Sequence, residues 1–340
     1  SLWLPHLYCG IPFIGSFAFC PWYPPALAFL VVPFPLAFNL QYILHSFLAG
    51  AFTYRLLRAM NLDRISSAFG GLAFQLCGHF ATLAYPGHLQ KVQAIVWIPL
   101  ALSFVHKGLF SGKRRHFLYA GAALAMPLLS SHPQIYYYGV CAILLYALWR
   151  LGDRRRVPLC GPPQTLLSRL SLALIFSLAL SAIQIIPGYE TARHSVRAGG
   201  LPFEQSVKSS YPPSELLELV LPRYKGDSVR GGFGDYYGSW GERLVSDYPG
   251  MAVLLLALLA LFLSPRKEKL FLNILFLLAA VIACGAYSPI YHVLWRWVPG
   301  MRHFRSPATV MFLMSLPLCI LASFGLEVFH HGVEATAFFA

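Results

Sequence analysis

Long apolar runs alternate with short polar stretches along the whole chain. A helix that crosses a membrane needs roughly 20 mainly apolar residues, although shorter crossing helices occur. The pattern therefore predicts about nine crossing helices, several of them short. Their predicted bounds are 36–57, 65–84, 92–107, 117–131, 134–149, 165–187, 249–264, 270–286 and 308–328. The proline-rich piece 24–35 is predicted to be a short interfacial segment.

Composition favours an all-α polytopic membrane protein over a soluble one. The 340 residues are 57% hydrophobic and 11% charged, with a mean hydropathy of +0.59. Soluble domains carry roughly 25% charged residues, so this chain lacks the polar groups that a water-facing surface needs. We expect a single transmembrane domain over residues 1–340, with 188–248 as an extracytoplasmic loop subdomain. Because the chain begins at Ser1 in a polar, proline-rich stretch, we also expect an N-terminal helix to be missing.

Basic residues predict the orientation. Lys and Arg gather in every second loop, beginning with the loop between the first two segments. Cytoplasmic loops of membrane proteins carry such an excess. The loops on the other side are then predicted to face outward, and they are 1–23, 85–91, 132–133, 188–248 and 287–307. The net charge of +13 follows from these loops, and no basic face with base-stacking aromatics indicates a nucleic-acid partner.

Few sequence-local motifs for chemistry are present. The seven cysteines include no CxxC pair, and Cys9 and Cys20 could form a disulfide if their loop is oxidising. HExxH, GxGxxG, Walker and GxSxG patterns are all missing. His79 and His88 flank the outer end of the second segment, where a single histidine is more often structural than a ligand.

The first polar constellation interrupts two apolar runs with "SSHPQIYYYG". Ser130 and Ser131 could cap the helix that Pro133 begins. Alternatively, His132 and Gln134 could donate hydrogen bonds to a polar headgroup in an outer cavity.

The second constellation is "PGMRHFRSPATVMF", directly before the last predicted helix. Arg302 and Arg305 would lie on the outer side, so the excess of basic residues that is typical of cytoplasmic loops does not explain them. A guanidinium fork matches phosphate geometry, so these arginines are candidate phosphate ligands. Contact with lipid headgroups or pairing with an acid of the outer loop is the alternative.

The outer loop 188–248 holds eight of the thirteen acids. Glu215 and Glu218 are three residues apart, which indicates one face of an amphipathic surface helix. The candidate general bases are Asp235, Glu242 and Asp247, and the aromatic side chains that could stack on a sugar are Tyr236, Tyr237 and Trp240. The alternative is a solvated glycine-rich loop whose acids pair with its own arginines. No DxD pair occurs, so the sequence contains no local motif of this kind for a divalent cation. A divalent cation is therefore a possible cofactor that no such motif supports.

The ordered set of stretches resembles the YfhO-like family of bacterial membrane proteins, which is grouped with the GT-C glycosyltransferases. The matching stretches are "CGIPF", "YPP", "LHSFLAGAFTYRLLRAMNL", "AFGGLAFQLCGHF", "VWIPLAL", "SSHPQIYYYG", "ELLELVLPRYKG", "DYPGMAVLLLALLAL" and "VPGMRHFRSPATVMFLMSLPLCILASFGLE". The family's late motif resembles "FRxPxR". Arg305 matches its first arginine, and Thr309 stands where the second is expected.

The resemblance implies a GT-C fold in the bacterial cytoplasmic membrane. Such an enzyme moves a sugar from a polyprenyl-phosphate donor to an envelope glycan, teichoic acid or protein on the outer face. The resemblance also implies a catalytic Asp in a first outer loop, which would precede Ser1.

We therefore expect Arg305 and Arg302 to bind the donor phosphate, and His132, Gln134 and His88 to bind phosphate or sugar hydroxyls. The base would be the missing Asp or one of the three acids of the outer loop. A transporter or flippase, a polymerase of lipid-linked glycans and a non-enzymatic scaffold are the alternatives. A transporter predicts paired charges at mid-membrane depth, whereas the centres of these segments are nearly free of charge.

Overall fold

The computed structural model describes residues 3–7, 9–155, 159–226, 236–238 and 247–339, with side chains up to residue 331. The chain is all-helical, with 71% of its residues in helices. The strands in the described ranges are β1 Trp3–Leu4 and β2 Ile11–Pro12, which pair antiparallel with Trp3 opposite Pro12.

The α-helices are α1 Ala28–Val31, α2 Phe34–Ala59, α3 Arg64–Gln75, α4 Gly78–Ala84, α5 Leu89–Ile95, α6 Trp97–Ser111, α7 Arg114–Leu129, α8 Pro133–Gly152, α9 Pro163–Leu180, α10 Ala182–Arg193, α11 Phe203–Ser206, α12 Met251–Leu263, α13 Glu268–Ala283, α14 Pro289–Trp297 and α15 Phe312–Phe339. The 3₁₀ helices are Pro24–Leu27, Pro213–Leu219, Gly285–Tyr287, Met301–His303 and Pro307–Met311.

Four helices in the described part of the chain are long and apolar enough to cross a membrane. They are Leu89–Ser111, Pro133–Gly152, Pro163–Leu180 and Pro307–His331. The helix Met251–Leu263 is also apolar but shorter. The prediction of a helical chain with the composition of a membrane protein is thus confirmed, while the number of nine crossings stays a prediction.

Each predicted segment coincides with helical structure, but two segments are interrupted. The segment predicted at 65–84 is divided between α3 and α4, because Cys77 adopts an extended backbone (φ −64°, ψ 147°). The segment at 165–187 is divided at Ser181 between α9 and α10. Between α5 and α6, Val96 keeps a helical backbone (φ −61°, ψ −23°), so Leu89–Ser111 continues as one helix.

The chain forms two compact units. The first contains Ser1–His45 and Leu89–Leu201, and the second contains Ser46–His88 and Pro202–Ala340. In the first unit, α7 packs against α6 and α9. Gly121 allows α7 to approach α9 closely, since a Cβ atom there would lie 2.5 Å from the carbonyl oxygen of Ala173.

In the second unit, α15 packs against α12, α13 and α3. Its side chains from Phe312 to Gly325 are almost all buried, which agrees with a central position in this unit. Phe312 and Phe324 are among the largest fully buried side chains. The elements around α15 carry the candidate site.

Candidate functional site

A buried group of three polar side chains lies in the second unit. His79 is in the first turn of α4, Tyr211 precedes the 3₁₀ helix Pro213–Leu219, and Asp247 precedes α12. The backbone N–H of Gly78 donates to the carbonyl oxygen of Tyr248 at 3.1 Å, which fixes the Asp247 segment beside α4. Gly250 then turns the chain into α12 with φ +106°, a conformation that favours glycine.

The hydrogen bonds of this group fix the orientation of the His79 ring. Nδ1 of His79 lies 3.0 Å from Oδ1 of Asp247, and the Tyr211 hydroxyl donates to Oδ2 at 3.4 Å. An ionised carboxylate can only accept, so Nδ1–H of His79 is the donor to Asp247 and Nε2 points away from it. Nε2 is buried and has no hydrogen-bond partner among the described residues.

Burial strengthens these interactions. His79 is 5% exposed, Asp247 2% and Tyr211 0%. A carboxylate in such surroundings is costly unless hydrogen bonds compensate it. A buried, unpartnered nitrogen is costly as well, so a ligand hydroxyl that donates to Nε2 of His79 would remove that cost. This arrangement orients an imidazole as an acceptor of a proton.

Two further carboxylates are buried in the same unit. The Tyr236 hydroxyl donates to Glu215 at 2.7 Å, and Glu218 accepts from the backbone N–H groups of Arg223 and Lys225 at 3.0 and 2.9 Å. Both glutamates are fully buried. The prediction that Glu215 and Glu218 lie on the exposed face of an amphipathic surface helix is therefore wrong. Both acids belong to a 3₁₀ helix, and these hydrogen bonds hold their side chains in the interior.

Tyr237 differs from its neighbour Tyr236. It is 69% exposed, and its hydroxyl donates to the carbonyl oxygen of Tyr224. The ammonium of Lys225 lies 5.2 Å from the Tyr224 ring centroid and 5.3 Å from that of Tyr237. The two rings and the cation form a small exposed platform that a polar ring could stack on.

The candidate phosphate ligands are exposed. Arg302 lies with its guanidinium carbon 4.9 Å from the Trp295 ring centroid and donates to the carbonyl oxygen of Arg296 at 3.2 Å. Arg305 is exposed and makes no hydrogen bond or ion pair with the described residues. Both guanidinium groups could therefore meet an anion from solvent.

Other predicted site residues lie elsewhere. His132 and Gln134 belong to the first unit, where His132 caps α8 by accepting from the backbone N–H of Ile135 at 3.4 Å. The expected cap by Ser130 or Ser131 is not made, and Gln134 donates to the Tyr138 hydroxyl at 3.3 Å. Of the remaining predicted site residues, His88 is exposed in the second unit. Asp235, Trp240 and Glu242 lie outside the described residues.

A polar network in the first unit is satisfied internally. The indole N–H of Trp97 donates to the Tyr23 hydroxyl at 2.8 Å, and Tyr23 lies 2.6 Å from Nε2 of His45. Nδ1 of His45 contacts the carbonyl oxygen of Gln41, whose side chain accepts from Gln93 at 3.1 Å. Since these polar atoms are used within the network, it is best explained as structural.

One group of side chains has the spacing of a metal site. The ligand atoms of Asp63, Glu327 and His331 lie within 4.8 Å of one another. However, Arg266 binds both carboxylate oxygens of Glu327, at 2.6 and 2.7 Å. A cation would compete with this guanidinium, so the group is better explained as an ion pair.

The sequence predicts Asp247 as a general base, and that role stays a prediction. Tyr236, predicted to stack on a sugar, is instead buried with its hydroxyl on Glu215. The sequence does not predict the pairing of Asp247 with His79, because the two residues are separated by 168 positions. No family model, curated protein or solved structure matches the chain.

Proposed function

We propose that this chain is a GT-C-type glycosyltransferase of the bacterial cytoplasmic membrane, with about nine crossing helices. It moves a sugar from a polyprenyl-phosphate donor to an envelope acceptor on the outer face. The observation that supports this proposal most is the buried couple of Asp247 and His79, with the lone pair of Nε2 unpartnered among the described residues. The resemblance to the YfhO-like family supplies the donor and acceptor classes.

In the proposed reaction, His79 is the general base. The acceptor hydroxyl donates its proton to Nε2 while its oxygen forms a bond to the anomeric carbon. The bond from that carbon to the phosphate oxygen breaks, and its electron pair leaves with the polyprenyl phosphate. Asp247 stabilises the imidazolium through Nδ1–H, as a buried carboxylate does in other histidine-based sites.

Arg305 and Arg302 bind the leaving phosphate in this proposal. The exposure of Arg305 and its lack of a described partner support that role. A guanidinium that contacts the phosphate would stabilise the charge that accumulates on it in the transition state. The exposed ring of Tyr237 offers a surface for the sugar.

The experiment measures sugar transfer in membranes that contain the wild-type chain or a variant, with a polyprenyl-phosphate sugar as donor. We expect His79→Gln to reduce transfer about 10²-fold to 10⁴-fold, as loss of a general base does. Asp247→Asn should also reduce transfer, because an amide can stabilise the wrong tautomer. His194→Gln is the matched control, since His194 forms an exposed pair with Glu190 at 3.6 Å.

Two results would contradict the proposal. Unchanged transfer by His79→Gln at equal protein level would exclude His79 as the base. Movement of the donor across the membrane without sugar transfer, in the wild-type chain, would favour a flippase instead.

A further inference from the structure

Helix α14 has one face fixed to its unit. Tyr291 is 1% exposed, and the indole N–H of Trp295 donates to Ser206 at 3.1 Å. The Phe203 ring packs against Trp295 with centroids 5.5 Å apart. These contacts determine which side of α14 points away from the protein.

The side that points away is apolar. Ile290, Val293 and Trp297 are 52, 55 and 73% exposed. Their spacing of three and four residues places them on one stripe of the helix. A short stripe that ends in tryptophan is typical of helices that lie in a membrane interface.

A third side of α14 is basic. His292 and Arg296 are exposed and lie four residues apart, between the buried and the apolar sides. Arg302, which follows α14, is exposed as well and lies against Trp295. The stretch 285–306 contains no Asp or Glu, so the charged side chains of this stretch are all basic.

The position of α14 in the chain fits a membrane boundary. The helix follows α13, a predicted crossing helix, after the 3₁₀ turn Gly285–Tyr287, and it packs against both. The basic loop Arg266–Lys269 at the other end of α13 is predicted to be cytoplasmic. The end of α13 that leads to α14 then lies at the outer surface.

We propose that α14 lies in the plane of the membrane at its outer face and docks on anionic phospholipid of the outer leaflet. Ile290, Val293 and Trp297 enter the boundary between headgroups and acyl chains. Arg296 contacts lipid phosphates, which its charge complements. This proposal shares the predicted orientation of the chain with the proposed transferase, but its test measures the position of α14 and not sugar transfer, so the two can fail separately.

Nitroxide labels at two neighbouring positions test the proposal. The parent is the full chain with the exposed thiols removed by Cys9→Ser and Cys160→Ser, and its residual labelling gives the background. Val293→Cys carries the label on the apolar stripe, and His292→Cys carries it on the basic side as the matched control. Both are reconstituted in nanodiscs of phosphatidylglycerol and phosphatidylcholine.

The measurement is the accessibility of each label to oxygen and to a water-soluble nickel chelate. The label at 293 should be more accessible to oxygen and less to nickel than the label at 292. Equal nickel accessibility at both positions would overturn the proposal, because the stripe would then face water. Protection of position 293 from both reagents would also overturn it, because protein rather than lipid would cover the stripe.

Lipid charge provides the second measurement. In nanodiscs of phosphatidylcholine alone, the label at 293 should lie closer to the surface, and Arg296→Gln should have the same effect in the mixed lipid. An unchanged depth in both experiments would overturn the assignment of Arg296 to anionic headgroups.

Discussion

Buried carboxylates in the second unit are stabilised by hydrogen bonds from specific donors. Tyr236 donates to Glu215, Tyr211 and His79 contact Asp247, and two backbone N–H groups bind Glu218. Removing a donor leaves a desolvated acceptor, which costs more than the hydrogen bond itself contributes. The buried carboxylates of the outer loop, which the sequence predicts to be solvated, therefore affect the free energy of unfolding through these hydrogen bonds.

Tyr236→Phe should lower the free energy of unfolding by about 1–3 kcal/mol, because the Glu215 carboxylate loses the hydroxyl while remaining buried. Tyr237→Phe is the matched control, since this exposed hydroxyl bonds only at the surface and its removal should have little effect. Thermal unfolding of both variants in detergent measures the difference. Equal melting temperatures would contradict the assigned hydrogen bond.

Asp63 caps α3, and its titration predicts a pH dependence. Oδ1 accepts from the backbone N–H groups of Ile65 and Ser66 at 2.8 and 2.9 Å. Burial raises the pKa of the Asp63 carboxyl, but the hydrogen bonds outweigh it and hold the pKa below its ordinary value of 3.8. A lowered pKa in the folded state stabilises the protein above the unfolded pKa, and the stabilisation is lost as pH falls through the folded pKa.

Asp63→Ala should lower the free energy of unfolding by about 1 kcal/mol near neutral pH, as the loss of a cap does. The difference from the wild type should shrink as the pH falls below about 4. Asp63→Asn keeps an accepting oxygen that does not titrate, so its stability should lack this pH dependence. Melting temperatures measured from pH 7 to pH 3 give the comparison, and a constant effect of Asp63→Ala would contradict the role of the charge.

At the scale of elements, close packing of helices depends on small residues. Gly325 of α15 lies against α12, where an added Cβ atom would be 1.9 Å from the carbonyl oxygen of Leu256. Small residues at such contacts allow helix backbones to approach in membrane proteins. The carbonyl belongs to a helix backbone, so it cannot move aside as a flexible side chain could.

Gly325→Ala should destabilise the second unit, because α12 and α15 must separate to admit the methyl group. Gly152→Ala is the control, since nothing lies within 4 Å of an added Cβ at the end of α8. There alanine should be neutral or stabilising by up to about 1 kcal/mol. Thermal unfolding checks both, and equal stability of the two variants would contradict the packing.

Hydrophobic periodicity predicted the helices of this chain but not their interruptions. The nine segments coincide with helical structure because burial of apolar side chains and helical hydrogen bonding act locally. The breaks at Cys77 and Ser181 occur within apolar runs, where composition gives no signal. The break at Cys77 adjoins a contact between distant parts of the chain, the hydrogen bond between Gly78 and Tyr248.

The candidate site could be predicted only in part for the same reason. Asp247 was identified from its residue type and its place in an acidic outer loop. Its pairing with His79 follows from the packing of α4 beside the segment before α12, which no local pattern encodes. The burial of Glu215 likewise depends on Tyr236, 21 residues away.

At the scale of the whole molecule, the residues of the candidate site that the structure describes lie mostly in the second unit. The histidine, tyrosine and carboxylate group, the exposed arginines and α14 all belong to it. In the first unit, the described network around Tyr23 and His45 is satisfied by its own hydrogen bonds. We therefore expect substitutions in that network to change stability before they change activity.

The orientation of the whole chain depends on the basic loops, and two exposed thiols test it. Cys9 lies in the predicted outer stretch 1–23, and Cys160 lies in the predicted cytoplasmic loop between α8 and α9. A maleimide that cannot cross membranes should label Cys9 in intact cells and should label Cys160 only after permeabilisation. The variants Cys9→Ser and Cys160→Ser identify each signal. Labelling of Cys160 in intact cells would contradict the predicted orientation and support the opposite one. The His79 site and the α14 surface would then face the cytoplasm. A polyprenyl-phosphate donor on the outer leaflet could not reach them there.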